Sequence, residues 1–228
     1  MCGRFAVTLP PDAMAQLFAA IPANDLPDVP NYNVCPTNAV HVVTADADAG
    51  ARRLSAMRWG FIPHWYKAPN DGPLLINARA ETIADKPAFR SACRTRRAVI
   101  LASGFYEWTR EGDARLPWYI TRRDAAPLAF AAIWQDWAPK GSDDTLRTVA
   151  IVTTAANAPM LAIHHRMPVI LAQKDVALWL GEEGKGAATL MQAAPDDALR
   201  WHRVGTEVNT NRASGAQLVD PLEGTTGA

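Results

Sequence analysis

Short runs of β-branched and aromatic residues dominate the chain between residues 39 and 172. The runs that predict strands are "AVHVVTA", "RRAVILA", "GFYEWTR", "PWYITR", "LAFAAIW", "RTVAIVTT" and "MPVILA". Turn-forming segments such as "EGDARLP" and "APKGSDD" separate them. Because these strands do not alternate with helices, the pattern predicts an α+β fold, in which a curved, mainly antiparallel, barrel-like sheet carries peripheral helices.

Apolar positions with helical spacing predict a helix near the start of the chain. In "PDAMAQLFAAI", four residues share one helical face: Met14, Leu17, Phe18 and Ile21. Asp12 precedes them as a candidate N-cap. The proline-rich "IPANDLPDVPNYNVCPT" predicts an irregular loop, and "KDVALWL" and "AATLMQAA" predict helices late in the chain.

Length and composition favour one domain over residues 1–222, followed by a disordered tail at 223–228, in a chain of 228 residues that is 49% hydrophobic. Lys+Arg 23 and Asp+Glu 23 balance, so any phosphate binding must come from local arginine clusters. No leader pattern or membrane-spanning run is present. Cys2, Cys35 and Cys93 fit neither a disulfide framework nor a zinc motif. We therefore expect a cytoplasmic monomer without cofactor, metal or membrane partner.

Cys2 follows the initiator methionine, within "MCGRF". If Met1 is removed, Cys2 carries a free α-amine beside its thiol. Such an aminothiol condenses with an aldehyde, first through the amine as a Schiff base and then through the thiol as a five-membered thiazolidine. An α-amine titrates at about pH 7.7–8.0, so part of it is nucleophilic at neutral pH. The alternative is a chance small residue with no chemical role.

Three further segments carry candidate chemistry. "INARAET" places Asn77, Arg79 and Glu81 on one face of an extended segment, either as a site or as a solvated strand face. Glu107 lies between aromatic residues in "GFYEW", which predicts a desolvated carboxyl suited to general acid–base chemistry; a polar strand face is the alternative. In "IHHRMPVIL", one histidine could move protons near Glu107, and Arg166 could bind phosphate.

The aromatic segment "RWGFIPHWY" has two expected parts. Trp59 and Phe61 are predicted to lie in the core. Trp65 and Tyr66 come just before Lys67 and a flexible "KAPNDGP", where exposed rings would suit unpaired nucleobases.

Seven motifs occur together in a recognisable order: "MCGRF", "YNVCPTN", "RWGFIPHW", "INARAET", "GFYEW", "IHHRMPVIL" and "VNT". From Cys2 to about Asn209 the chain resembles the SRAP family, the abasic-site processing proteins also called SOS response-associated peptidases. The resemblance implies a single α+β domain that binds single-stranded DNA containing abasic sites. It also implies a covalent thiazolidine between the N-terminal cysteine and the ring-opened abasic aldehyde, which shields the lesion during the DNA damage response.

The resemblance further implies roles for individual residues. Cys2 matches the crosslinking residue, Asn77 the residue that orients the abasic sugar, and Glu107 the active-site carboxylate. His164 matches the histidine associated with ring opening, Schiff-base proton transfer and adduct reversal. DNA contacts are implied for Arg4, Arg79 and Arg166 at phosphates, and for Pro36, Thr37, Trp65, Tyr66 and Thr153 along the groove.

Some positions depart from the family pattern. Members often carry a second tryptophan where this chain has Tyr66, and a small residue where it has Cys35, which we expect to be inert packing. His165 occupies a variable position and receives no role. Two other functions fit the opening of the chain: an N-terminal-nucleophile peptidase or amidohydrolase in which the Cys2 thiol attacks an amide, and a non-catalytic single-strand binder.

Overall fold

The computed structural model describes residues 2–46, 50–224 and 226–227. The strands in chain order are β1 (Phe5–Val7), β2 (Ala20–Pro22), β3 (Asn31–Val34), β4 (Ala39–Asp46), β5 (Ala51–Trp59), β6 (Asn77–Arg79), β7 (Arg97–Ala102), β8 (Gly104–Glu111), β9 (Ala114–Arg122), β10 (Leu128–Trp137), β11 (Leu146–Ala155), β12 (Arg166–Pro168), β13 (Leu199–Arg203) and β14 (Thr226–Gly227). The α-helices are α1 (Pro11–Phe18), α2 (Arg90–Thr95) and α3 (Val176–Leu180). Single turns of 3-10 helix occupy Pro159–Ala162, Gln173–Asp175, Ala187–Leu190, Thr206–Asn209 and Ala216–Val219.

Two sheets form the body of the protein. The first has the order β14-β13-β9-β8-β1-β3, and the second has the order β12-β11-β10-β7-β4-β5-β2. The second sheet curls until β11 also pairs with β5, where Val149 lies opposite Trp59. Parallel pairs join β2 to β5, β5 to β11 and β6 to β11, and the remaining pairs are antiparallel. The predicted α+β fold with a curved, mainly antiparallel sheet is confirmed.

A shared aromatic core joins the two sheets. The Phe5 ring in β1 lies 5.1 Å from the Trp59 ring and 6.1 Å from the Phe130 ring, measured between centroids. All three side chains are almost completely buried, as is Phe61, so the predicted core positions of Trp59 and Phe61 are confirmed. Trp59 Nε1 also donates to the Ile76 carbonyl at 3.0 Å. The core therefore fixes both the N-terminal strand and the residue before β6.

The first helix is shorter than its sequence pattern predicts. Met14 and Phe18 are buried, but Ala19 adopts a left-handed conformation with φ 48° and ends the helix. Ile21 consequently leaves the helix and is 52% exposed, so its predicted place on the apolar face is wrong. The helix begins at Pro11 with Pro10 as its N-cap, so Asp12 lies in the first turn and its predicted role as N-cap is wrong.

Several elements were not predicted. β3 lies within the proline-rich segment, and β5 and β13 occupy the arginine-containing "ARRLSAMRW" and "LRWHR". The predicted helix "AATLMQAA" is only a 3-10 turn. In the expected tail, Thr226–Gly227 pairs with Trp201 and His202 of β13, and residues 225 and 228 lie outside the described part. Among the residues described, no helix is long and apolar enough to cross a bilayer.

Candidate active site

Cys2 lies at the point where β1 approaches both β6 and β8. Cys2 is completely buried, and Nδ2 of the Asn77 side chain donates to the Cys2 carbonyl oxygen at 2.9 Å. β1 runs antiparallel to β8, with Phe5 opposite Phe105, and the Tyr106 amide donates to the Arg4 carbonyl at 2.9 Å. The segment before β1 therefore runs beside the part of β8 that carries Glu107. Met1, and with it the expected processing of Met1, lies outside the described residues.

Glu107 is a buried carboxyl on β8, with 3% of its surface exposed. It follows Phe105 by two residues and so shares that residue's inward face of the strand. Burial raises the pKa of Glu107, as its aromatic neighbours in the sequence predicted. The pKa of the Cys2 thiol is raised as well, by burial first and by the Glu107 charge second. The two side chains are thus electrostatically coupled and both favour their neutral forms.

His164 follows the 3-10 turn Pro159–Ala162 and is half-buried. Its Nδ1 lies 2.9 Å from the Arg166 amide nitrogen and 3.0 Å from the Arg166 carbonyl oxygen. The tautomer decides which of these two contacts is the hydrogen bond: when the neutral ring carries its proton on Nδ1, this nitrogen donates to the Arg166 carbonyl, and Nε2 is the basic nitrogen. Burial lowers the pKa of His164, which favours that neutral form.

His165 is exposed and stacks on His164, with ring centroids 4.4 Å apart. The two rings therefore do not point to opposite faces, as they would in an extended strand. The electrostatic interaction between the two imidazoles is the first cause that lowers the pKa of His165. Only His164 of the pair lines the cleft that contains Glu107.

A cleft of about 300 Å³ opens beside these residues. Its lining consists of Gly3, Arg4, Glu107, Trp108, Arg110, Arg115 and His164. Together with the Cys2–Asn77 hydrogen bond, this lining brings the four predicted catalytic residues into one region of the molecule. In the part of the chain that the structure describes, no three His, Cys, Asp or Glu side chains cluster as a metal site would require.

The three predicted phosphate-binding arginines lie in different surroundings. Arg4 donates to Asn33 Oδ1 at 2.5 Å and to the Val208 carbonyl at 2.9 Å, which ties the 3-10 turn at 206–209 to β3. Arg79 is exposed. Arg166 is buried, and its charge is neutralised by Glu81.

Arg166 forms a two-pronged ion pair with Glu81, at 2.7 and 2.9 Å, and donates to the Thr153 carbonyl at 2.8 Å. This guanidinium lowers the pKa of Glu81 to about 2. Glu81 lies beyond the end of β6, so it does not continue the strand face of Asn77 and Arg79. The pair anchors β12, whose first residue, Arg166, holds the His164 ring through its backbone.

The predicted groove residues divide into exposed and buried groups. Trp65 is 48% exposed, and Thr37 is exposed with a left-handed φ of 75°, while Pro36 is half-buried. Thr153 is completely buried, so its side chain does not reach the surface.

Tyr66 folds back over its own loop. A Cβ added at Gly72 would lie 2.3 Å from Tyr66 Oη, so the ring packs directly on the glycine backbone. Trp137 Nε1 also donates to the Tyr66 carbonyl at 2.9 Å. Tyr66 is therefore less available for stacking than Trp65. Cys35 is buried and donates to the Asn33 carbonyl at 3.3 Å, and burial raises its pKa.

Sequence reasoning missed one wall of the cleft, formed by Trp108, Arg110 and Arg115. The Arg115 guanidinium lies 5.2 Å from the Trp108 ring centroid, and Trp108 Nε1 donates to Asn209 Oδ1 at 2.6 Å. These three residues share one face of the β8–β9 hairpin, because Arg110 and Arg115 are opposite each other. Alternation along "WTR" places Trp108 and Arg110 on one face of the predicted strand, but Arg115 lies in "EGDARLP", which was predicted as a turn.

Comparison with known proteins agrees with this architecture. The chain is 33% identical to the abasic site processing protein YoqW of Bacillus subtilis (strain 168), over 96% of this chain and 99% of that relative. It is also 33% identical to the abasic site processing protein YedK of Escherichia coli (strain K12), over 97% of this chain and 100% of that relative. A crystal structure of a Bacteroides thetaiotaomicron protein has the same fold, with a TM-score of 0.85 at 22% identity, covering 97% of this chain and 100% of that one.

The family pattern described as SOS response associated peptidase matches residues 1–211, which include every residue placed at the cleft. With this match and relatives of similar length, the chain belongs to the SRAP family.

Proposed function

We propose that this protein processes abasic sites by binding single-stranded DNA and capturing the ring-opened abasic aldehyde as a thiazolidine at Cys2, once Met1 has been removed. The observation that carries the proposal is the hydrogen bond from Asn77 to the Cys2 carbonyl, beside a cleft lined by Glu107 and His164. The names of YoqW and YedK as abasic site processing proteins support it.

The chemistry begins with opening of the abasic sugar. Neutral His164 takes the proton of the anomeric hydroxyl as the bond between C1 and the ring oxygen breaks and the aldehyde forms, and it returns that proton to the ring oxygen. The α-amine of Cys2 then adds to the aldehyde carbon, and protonated Glu107 supplies the proton with which water leaves, giving the Schiff base. Finally the thiol adds to the same carbon while its proton passes to the imine nitrogen. The balance is one aldehyde and one aminothiol converted into one thiazolidine and one water.

Burial suits both acid–base partners to these steps. A raised pKa keeps Glu107 protonated at a pH where an ordinary glutamate has lost its proton, so it can act as the acid. A lowered pKa keeps His164 neutral, so it can act as the base. Asn77 positions the backbone that carries the reacting amine and thiol.

The DNA strand is held by charge and by stacking. Arg79 and Trp65 are exposed and can contact a phosphate and an unpaired base directly. Arg4 already has protein acceptors and adds a fixed positive charge beside the DNA. Arg166 is paired with Glu81, so it contributes by holding β12 and the His164 ring in place. Pro36, Thr37, Tyr66 and Thr153 complete the proposed groove, with Tyr66 and Thr153 contributing through the backbone and packing that they hold.

Intact mass spectrometry tests the proposal. Mixed with an oligonucleotide that contains one abasic site, the wild-type protein should lack Met1 and gain the mass of the strand minus one water. Cys2→Ala should bind the strand but form no heat-stable adduct, whereas Cys35→Ala, the matched control, should crosslink like the wild type. Crosslinking by Cys2→Ala at wild-type yield, or by protein that retains Met1, would contradict the assignment.

The same preparation separates the rival functions. Release of ammonia from glutamine would favour the N-terminal-nucleophile hydrolase, because that reaction requires an amide substrate. Equal retention of intact and abasic strands, with no covalent product, would favour a non-catalytic binder.

A further inference from the structure

The β8–β9 hairpin carries two arginines that face each other. Arg110 and Arg115 are directly opposite in the antiparallel ladder, and both are exposed. Like charges in this position repel each other and destabilise a sheet. Glu111 and Asp113 flank the pair on the hairpin, yet over residues 2–46 and 50–224 neither guanidinium has a carboxylate oxygen within 4.0 Å. Within those residues, the two arginines therefore form a positive pair without an ion-pair partner.

Both arginines also line the cleft that contains Glu107 and His164. Arg115 is held in place by its position over the Trp108 ring, and Trp108 is in turn fixed by its bond to Asn209. The charge pair is therefore presented on a supported surface, immediately beside the proposed reaction centre. A chain with zero formal net charge depends on such local clusters to attract an anion.

We infer that Arg110 and Arg115 together bind a backbone phosphate of the single strand next to the captured abasic site. A phosphate placed between the two guanidinium groups would offset their mutual repulsion and accept charge-assisted hydrogen bonds from both. This inference rests on the proposed function, to which it adds the path of the strand out of the cleft. The far end of the β8–β9 hairpin would position the DNA, while Glu107, nearer the start of β8, and His164 supply the acid and the base.

Salt-dependent binding of an intact thymidine oligonucleotide of about 12 nucleotides tests the inference, because such a strand offers no aldehyde. The slope of log Kd against log salt reports the number of phosphate contacts, at roughly 0.7 per contact for a single strand. The double variant Arg110→Gln/Arg115→Gln should lower that slope by roughly 0.7 and weaken binding several-fold at low salt. The double lysine variant should keep the slope, because it keeps both charges.

Arg94→Gln is the matched control, since Arg94 is an exposed arginine that lines a different cavity and should leave the slope unchanged. The glutamine double variant should unfold at a temperature close to that of the wild type, because relief of the repulsion offsets loss of the contact between Arg115 and Trp108. If the glutamine double variant has the same salt slope as the wild type, or if Arg94→Gln lowers the slope by the same amount as the double variant, the inference is overturned. Neither result would contradict the proposed function. A wild-type protein whose binding does not respond to salt would instead contradict the proposed function.

Discussion

Replacement of Glu107 by glutamine tests the electrostatics of the cleft. The change keeps the size of a side chain that is 3% exposed and removes its ionisation. Burial raises the pKa of Glu107 in the folded protein above its value in the unfolded chain. Between those two pKa values the folded state holds a proton that the unfolded state has released, so the free energy of unfolding falls as pH rises. For one group the fall is at most about 1.4 kcal/mol per pH unit.

The difference in stability between wild type and Glu107→Gln should therefore depend on pH in one direction. Below the pKa of Glu107 in the unfolded chain, about 4.3, both states hold the proton and ionisation costs the wild type no stability. Above the pKa of Glu107 in the folded protein, the cost is present in full, and the wild type is less stable relative to the variant than it is at low pH. Any difference in the hydrogen bonds of the glutamate and glutamine side chains shifts the difference in unfolding free energy by the same amount at every pH, so the trend with pH is unchanged. Urea unfolding across a pH series measures the difference. Glu111→Gln, on the exposed end of the same strand, should differ from wild type by less than about 0.5 kcal/mol throughout.

A flat difference, or a wild type that gains stability over the variant as pH rises, would refute the reasoning. Either result would mean that the site stabilises Glu107 as a carboxylate. The rate of adduct formation gives a second measure: loss of a general acid should slow it about 100-fold or more and remove the decline at high pH. If variant and wild type share one pH profile, another group supplies the proton.

Two further substitutions address the supports of the site. Asn77→Ala removes the 2.9 Å bond to the Cys2 carbonyl and should cost about 1 kcal/mol of stability, while adduct formation slows about 100-fold because the nucleophile is misplaced; an unchanged rate would show that the bond has no positioning role. Glu81→Gln leaves the buried Arg166 without its counter-ion and should lower the free energy of unfolding, measured in urea, by about 2 kcal/mol. The loss is smaller than for a fully buried ion pair because half of the Glu81 side chain is exposed. Wild-type stability would contradict that account.

The sequence predicted the strands whose buried faces consist of β-branched and aromatic residues, such as β7, β8, β10 and β11. It did not predict β5, because arginines at 52, 53 and 58 interrupt the apolar pattern, although Leu54, Met57 and Trp59 are buried. α1 was extended too far because apolar spacing continues past Ala19, where the backbone turns left-handed. In both cases tertiary packing, and not the local hydrophobic pattern, determines the secondary structure.

The candidate site divides in the same way. Local sequence was enough to foresee a desolvated carboxyl at Glu107, since its aromatic neighbours are adjacent in the chain. The contact between Asn77 and Cys2 joins residues 75 positions apart, so no local pattern contains it. Likewise, Arg166 and its partner Glu81 lie 85 positions apart, so no local pattern contains the ion pair in which this arginine is buried.

Strand β11 has a consequence for how this protein can change by mutation. β6 and β12 both pair with it, with Ile151 opposite Asn77 and Ala155 opposite Arg166. Adding or deleting one residue within β11 would turn every later side chain to the opposite face and shift both neighbours together. The position of Asn77, which holds Cys2, and the position of Arg166, which holds the His164 ring, therefore depend on the same strand. A change in length is better tolerated in the connecting loops than in β11.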